Sequence, residues 1–428
     1  MSNNALVRLR LMRGYTQEEL SELSGISVRT IRNLERGQIV KPRRSSVDML
    51  LAVLDPGLRQ ELHALPADGA DSSSSAVAEW MHMVSPGKDV WRGPKPPRTP
   101  MIGRESEVRQ IAELVTENQV TVLTGPGGVG KSRVAQAVAE KVCRLFADGV
   151  AVAEMGRIPS EQDLDLDSVM ELAWGAVEGL LDDGTPDTGR RLLLVLDNTE
   201  HLPRTTDRLV DRLIGSHPQL RILITSRRPP RWSGVTLWEI PSLTVEAAVE
   251  LLLERLKRVC PTLDLSGERA QLGELCQDLD LLPRLVEFAA QRLRMVSLPT
   301  LRSDSRARRL LGSADHSMLP HQQSVEASVR WSLNLLDERQ RDFLAGLARL
   351  PAAQVLAADG RGAAGKEAWD TAAIDMLSEL VDSSLLQVDR GSRYEYRMLR
   401  HVHAFLAAAP AAEPLRSVAE EQALALSG

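Results

Sequence analysis

The sequence predicts a multidomain chain: a small all-α head, a linker, an α/β domain on a parallel sheet, and a helical remainder that closes with a strand pair. Three observations predict it. Thr16-Gln17-Glu18-Glu19 is a helix-start signature followed by a second short helical stretch. Residues 66–98 are dominated by Ser, Pro and Gly. From Val120 onward, strand-like apolar runs alternate with helical stretches. The 428 residues suffice for about two to four domains. The composition shifts place boundaries at 1–65, 66–98, 99–242, 243–315 and 316–415, with a tail over 416–428.

In the head, Thr16 starts a helix whose buried face is Leu20 and Leu23, and Gly25 suits the left-handed turn that ends it. Ser27 caps a second helix, with Ile31 and Leu34 facing inward. Two short helices joined by a glycine turn make a helix-turn-helix. The second helix offers Val28, Arg29, Arg32 and Asn33 to a DNA major groove, where Arg pairs with guanine and Asn with adenine. Gln17 and the trailing Lys41, Arg43 and Arg44 suit phosphate contacts, and Ser27 joins them as a candidate DNA contact. Residues 1–50 hold nine Lys/Arg against five Asp/Glu, a local net of +4 in a chain whose net charge is -6. That asymmetry marks double-stranded DNA as the head's partner rather than the whole chain's.

The stretch 66–98 reads as a flexible linker, with an apolar patch at Trp80–Val84 able to dock. Strands are expected at Val120–Thr124, Val150–Ala153, Leu192–Leu196, Ile222–Thr225 and Thr236–Ile240. Near-continuous apolar strands indicate a parallel sheet covered on both faces. After Pro241 the chain reads as helix to about residue 312 and again over 321–350, then as an Ala/Gly-rich segment at 352–367. The stretch 371–410 reads as helix, strand pair, helix.

The strongest chemistry lies at Gly125-Pro126-Gly127-Gly128-Val129-Gly130-Lys131-Ser132, which fits GxxxxGK[ST] between a strand and a helix. Glycines let backbone N–H groups turn inward onto phosphate oxygens. Lys131 can reach the β- and γ-phosphates, the Ser132 hydroxyl can ligate Mg²⁺, and the helix N-terminus favours anions. Asp197 follows the apolar strand Leu192–Leu196, 66 residues after Lys131, and supplies the second Mg²⁺ ligand. Asn198 follows it, and Glu200 is the nearest carboxylate able to polarise water. Arg227, at the end of the next strand, is placed to sense a γ-phosphate. No Asn-Lys pair occurs in the chain, so the guanine-reading NKxD element is missing and ATP is favoured over GTP.

Cys143, Cys260 and Cys276 are odd in number and far apart, which indicates buried reduced thiols rather than a disulfide framework. The eight histidines show no metal spacing, His401 and His403 read as a surface pair, and Trp331 reads as helix core. With no signal core and no membrane-length apolar run, a cytoplasmic protein is expected.

Residues 5–54, above all YTQEELSELSGISVRTIRNLERG, resemble an Xre-type helix-turn-helix. Residues 99–410 resemble a STAND-class P-loop NTPase of the bacterial regulator branch related to NB-ARC proteins. PMIGRESEV resembles the block lying over the adenine, which implicates Ile102, Gly103 and Arg104. GPGGVGKS, with Arg133 after it, LLLVLDNTEHL and ILITSRRPP resemble the phosphate, Mg²⁺ and sensor-arginine blocks. SVRWSLNLLDERQRDFL and LSELVDSSLLQVDRGSRYEYRMLRHVHAFL resemble the family's winged-helix domain. The family's GLPL-type block appears as Leu281-Leu282-Pro283-Arg284, with Pro283 at the adenine and Leu281 in place of glycine. Met398-Leu399-Arg400 stands where the family carries a histidine that holds an ADP β-phosphate. The family's long repeat array is expected to be absent after Gly428.

The resemblance implies a switch. With ADP the helical and winged-helix domains fold onto the nucleotide domain. With ATP they open, the chains homo-oligomerise, and paired heads engage DNA. Slow hydrolysis resets the switch. Two other readings stand beside this one. The first is a nucleotide-switched defence or signalling protein whose head binds a protein. The second is an ATP-driven DNA remodeller, which would turn over at about 1 s⁻¹ or faster.

Overall fold

A computed structural model of the chain describes residues 6, 10, 15–35, 44–54, 91–181, 191–230, 232–303, 311–313, 318–349, 356–357, 371–390 and 394–408. In the head, α1 (Gln17–Ser24) begins at the expected capping box. The Thr16 Oγ1 accepts from Glu19 N at 3.1 Å, and Thr16 N donates to Glu19 Oε2 at 2.7 Å. Gly25 ends it at φ 70, where a Cβ would be strained. Helices α2 (Val28–Glu35) and α3 (Arg44–Leu54) complete the head around Leu20, Ile26, Ile31, Leu34, Leu50 and Leu54. One expectation fails. Leu23 is 56% exposed, because α1 buries the i, i+4 pair Leu20 and Ser24 and turns position 23 to solvent.

Six parallel strands form one sheet in the order β1-β3-β4-β5-β2-β6. They are β1 (Trp91–Arg92), β2 (Val120–Thr124), β3 (Val150–Glu154), β4 (Leu193–Asp197), β5 (Arg221–Thr225) and β6 (Thr236–Glu239). Trp91 and Arg92 correct the expected linker. They pair with Val150 and Ala151, and Arg92 Nη1 donates to Asp148 O at 3.1 Å. The earlier linker residues 66–90, with the Trp80–Val84 patch, lie outside the described residues.

Period-two alternation divides the sheet faces. Leu123, Val152, Leu193, Val195 and Leu223 point to one side, where α4 (Glu105–Glu117) and α5 (Lys131–Val142) cover them. Val122, Ala153, Leu194, Leu196, Ile222 and Ile224 point to the other, under α6 (Leu166–Leu181) and α7 (Pro203–Ser216). The first core runs on without a break into the helical segment α8 (Val245–Val259), α9 (Arg269–Asp278), α10 (Pro283–Arg292) and α11 (Leu298–Ser303). Gly103 makes that joint. It sits at φ 67, and a Cβ there would land on the Ala247 methyl of α8.

The C-terminal module comprises α12 (Val325–Asn334), α13 (Glu338–Leu347), β7 (Leu356–Ala357), α14 (Thr371–Asp382), β8 (Leu386–Arg390), β9 (Tyr394–Met398) and α15 (Arg400–Ala408). Its strands form an antiparallel sheet in the order β7-β9-β8. Val329, Leu333, Leu344, Leu380, Leu386 and Leu399 build its core. Of the three cysteines, Cys143 and Cys276 are buried as expected and Cys260 is partly exposed. Among the described residues, no helix is long and apolar enough to cross a membrane.

Candidate nucleotide and DNA sites

The loop between β2 and α5 has the backbone its glycines predict. Gly125, Gly128 and Gly130 lie at φ 137, 83 and 101, conformations that would strain an L side chain. Lys131 opens α5, and its Nζ donates to the Gly125 and Pro126 carbonyls at 2.6 and 3.1 Å. Burial pulls its ammonium down to about 7, against the opposing carboxylates of Glu200 and Asp197. The first-turn amides of α5, at Lys131, Ser132 and Arg133, point out of the helix start toward this loop.

Asp197 ends β4 and bonds to Ser132, the pair expected to share a cation. Thr225 Oγ1 donates to Asp197 Oδ1 at 2.5 Å and accepts from Asn198 N at 2.8 Å. Burial raises the Asp197 carboxyl, and the two hydroxyls work against that rise. Asn198 stands at φ 69, the left-handed region. With its amide nitrogen turned to the carboxylate, it donates to both Glu200 oxygens at 3.1 and 3.2 Å.

Glu200 is not open to water in this arrangement. Its side chain is 1% exposed, and Arg227 Nε donates to its Oε1 at 3.0 Å. Burial alone would raise the Glu200 carboxyl, yet Arg227 and Lys131 hold it below the usual range. Arg227 continues across to α12, where it donates to the Ser328 carbonyl at 3.1 Å and to the Ser332 hydroxyl. A Cβ on Gly127 would lie 2.8 Å from the Arg227 guanidinium carbon and 2.9 Å from Ser328 Oγ. Arg227 and α12 therefore roof the phosphate loop. Arg228 Nη2 also donates to Leu335 O at 2.8 Å, and Ser384 Oγ donates to Arg227 O at 2.8 Å.

Beside the loop is a small pocket of about 30 Å³ lined mainly by apolar groups. Ile102, Arg104, Val129, Gly130, Arg133 and Pro283 line it, joined by Val134, Leu243 and Leu251. Ile102 and Pro283, far apart in the chain, thus meet in one pocket. Three expected contacts differ in detail. Gly103 packs on α8 instead of lining the pocket. Arg104 Nη2 donates to Pro241 O at 2.6 Å, and Arg133 Nη2 donates to Thr99 Oγ1 at 2.6 Å. Both guanidiniums fasten the pocket wall.

Two clusters escaped the sequence reading. Asp280 and Leu281 occupy φ 55 and 54, so Leu281 takes the left-handed turn that glycine would take without strain. The Asp280 carboxylate accepts from Arg400 N at 3.0 Å, His401 N at 3.1 Å and His401 Nδ1 at 2.7 Å. A residue of the helical segment thereby caps α15 of the C-terminal module. His401 is no surface residue, because this capping draws it in. Leu399, at the family's histidine position, is buried in the module core. The second cluster is aromatic. His321 stacks on Trp331 at 4.4 Å between centroids, and His201 meets the same indole edge-on at 5.4 Å. Trp331 is thus a contact between the sheet domain and the C-terminal module rather than a single-helix core residue. Serines at 324, 328 and 332, spaced four apart, were the one legible sign that this face of α12 meets polar groups.

In the head, Arg29 and Arg32 are exposed on α2, while Val28 and Asn33 are partly buried. Ser27 Oγ accepts from Thr30 N at 3.2 Å, so its hydroxyl is engaged as a cap. Arg32 Nε donates to Gln17 Oε1 at 3.2 Å, tying the two helices together on the face expected to meet DNA. Lys41 and Arg43 lie outside the described residues, and Arg44 begins α3.

Residues 6–55 match the helix-turn-helix family. The putative HTH-type transcriptional regulator Rv0890c of Mycobacterium tuberculosis is 33% identical over 305 residues, covering 68% of this chain and 34% of the relative. The protein Rv0894 of the same organism is 30% identical over 321 residues, covering 72% of this chain and 80% of the relative. The chain therefore spans about a third of the length of Rv0890c and most of Rv0894. Among solved structures, the Walker-type ATPase PABY2304 of Pyrococcus abyssi is similar at a TM-score of 0.46 and 15% identity. That similarity covers 73% of this chain and 98% of the ATPase.

Proposed function

Because the chain belongs to the family of the mycobacterial protein Rv0894, with the blocks of a STAND-class P-loop NTPase behind an Xre-type helix-turn-helix, we propose that it is an ATP/ADP-switched, DNA-binding transcriptional regulator. The observation that carries the proposal is the roof over the phosphate loop. Arg227, the residue expected to read a γ-phosphate, is bound to Glu200 on one side and to Ser328 and Ser332 of the C-terminal module on the other. A phosphate entering beside Gly127 competes for the same guanidinium. Nucleotide occupancy and closure of the module then share one side chain.

The residues suit a Mg²⁺-nucleotide. Gly125, Gly128 and Gly130 form a cradle that side chains could not, Lys131 has its ammonium on the loop, and Ser132 and Asp197 are adjacent oxygen donors. Ile102 and Pro283 flank a small apolar pocket at the place where the resemblance puts adenine. A metal held by Ser132 and Asp197 would supply neutralisation of phosphate charge. Lys131 would hold phosphate oxygens, and Arg227 would orient the terminal phosphate. Glu200 gains the freedom to orient water only when Arg227 leaves it, which suits slow hydrolysis that resets a switch. In this reading the module is a winged-helix domain that closes with ADP and releases with ATP. The freed chains homo-oligomerise in the cytoplasm and seat paired heads on double-stranded DNA through Arg29, Arg32 and Asn33.

The test is a mobility-shift titration on genomic fragments with ATP, ADP or neither. Arg29→Ala/Arg32→Ala serves as the control. Salt-sensitive binding that differs between nucleotides supports the regulator. Absence of any salt-sensitive DNA binding would overturn it in favour of a head that binds protein.

A further inference from the structure

Arg284 was not a candidate in the sequence and takes no part in the contacts described above. It is the second residue of α10, directly after the pocket-lining Pro283. Its backbone N donates to Gly128 O at 3.2 Å, and its Cβ lies 3.0 Å from where a Cβ on Gly128 would stand. Its side chain is partly buried against the phosphate loop. Among the described residues, its guanidinium has neither a hydrogen bond nor an ion pair, in contrast to Arg104, Arg133, Arg227 and Arg255 nearby. The charges acting on it are Arg227, Glu287, Asp197 and Glu200.

Two arginines from different parts of the chain therefore press on consecutive glycines of the loop, Arg227 on Gly127 and Arg284 on Gly128. Lys131, Arg227 and Arg284 face Asp197 and Glu200, while Glu287, which also acts on Arg284, is already paired with Arg255, so one positive charge at the loop is left without its own carboxylate. Arg227 is already paired with Glu200. Desolvation further disfavours the Arg284 cation where it stands, so an incoming anion is its natural partner.

Resting on the nucleotide-site reading above, we infer that Arg284 is a phosphate-recognition residue supplied by the helical segment, which grips the terminal phosphate of a nucleoside triphosphate. The charges of Arg227, Asp197 and Glu200 act on it, which sets it at the terminal-phosphate end of the loop. It stands four residues after Asp280, the cap of α15, so a pull on Arg284 reaches the contact that holds the C-terminal module.

The experiment is a fluorescence titration of the full chain with labelled ATP and ADP in Mg²⁺, for wild type, Arg284→Leu, Arg284→Lys and Lys131→Ala. Loss of one charge-assisted bond in a desolvated site should weaken ATP about tenfold in Arg284→Leu. ADP should weaken less than about threefold. Arg284→Lys keeps the charge and should recover most of the ATP affinity, which a purely structural role would not predict. A folded Arg284→Leu protein with an unchanged ATP-to-ADP ratio overturns the inference, and so does failure of the lysine to rescue. If wild type binds neither nucleotide, or Lys131→Ala binds both as well as wild type, the nucleotide-site reading itself falls. Binding by wild type, loss in Lys131→Ala and no change in Arg284→Leu removes this inference alone.

Discussion

Lowering the pH from 7.5 to 5.5 should loosen the C-terminal module from the sheet domain through His321. This imidazole is 6% exposed and stacked on Trp331. Burial pushes it down to about 3 from 6.5, with further lowering from Arg227, Arg284 and His201 and partial relief from Glu200. His201, across the same indole, is also lowered by burial. A depressed histidine stabilises closure while it stays neutral. Its contribution is complete above about pH 6.5 and is lost progressively as the pH falls from there toward 3. If opening restores the ordinary value, the closed-to-open ratio falls by a factor of about (1 + 10)/(1 + 0.1), or tenfold, between pH 7.5 and 5.5. That is about 1.4 kcal/mol from one residue. The assay is hydrogen exchange over Val325–Asn334, corrected for the intrinsic pH dependence of exchange. Wild type should lose about tenfold in protection across the two pH values. His321→Phe keeps an aromatic ring against Trp331 without a titrating group, so its protection should change much less. Equal losses in the two proteins would refute the assignment to His321.

Three further outcomes follow from particular contacts. Gly103→Ala places a methyl on Ala247 at a positive φ, and should cost about 1–3 kcal/mol, read as a lower thermal midpoint. An unchanged midpoint would mean that the joint between sheet and helical segment is not tight. Asp280→Ala removes the acceptor of three bonds to Arg400 and His401, and should cost about 2 kcal/mol of protection across α15 while leaving α5 unaffected. Arg227→Ala strands a buried Glu200, and should destabilise the chain by about 3–5 kcal/mol unless Glu200→Gln is added to relieve it. A double variant no more stable than the single would show that the ion pair is not what the roof depends on.

The sequence alone determined what depends on neighbours along the chain. The capping box at Thr16 and Glu19, the turn at Gly25, the strand–loop–helix around Lys131 and the apolar strands all arise from local backbone preferences and side-chain periods. Those signals are contained within a few residues. One-residue differences, such as Asp197 belonging to the strand it was expected to follow, are the ordinary imprecision of such signals. Leu23 shows their limit. Helical spacing allowed it in the core, and only the packing of α1 in the folded head turned it outward.

What only the tertiary structure decided are the partners of the charged groups. Arg227 meets Ser328 across 101 residues, and Asp280 meets His401 across 121. No period or propensity connects such positions, because their pairing is set by how whole elements dock. The same docking carried Arg284 onto Gly128 and drew His401 from the surface to a carboxylate. The phosphate loop could be read from eight consecutive residues, whereas the roof over it exists only once the sheet, the helical segment and the C-terminal module are brought together.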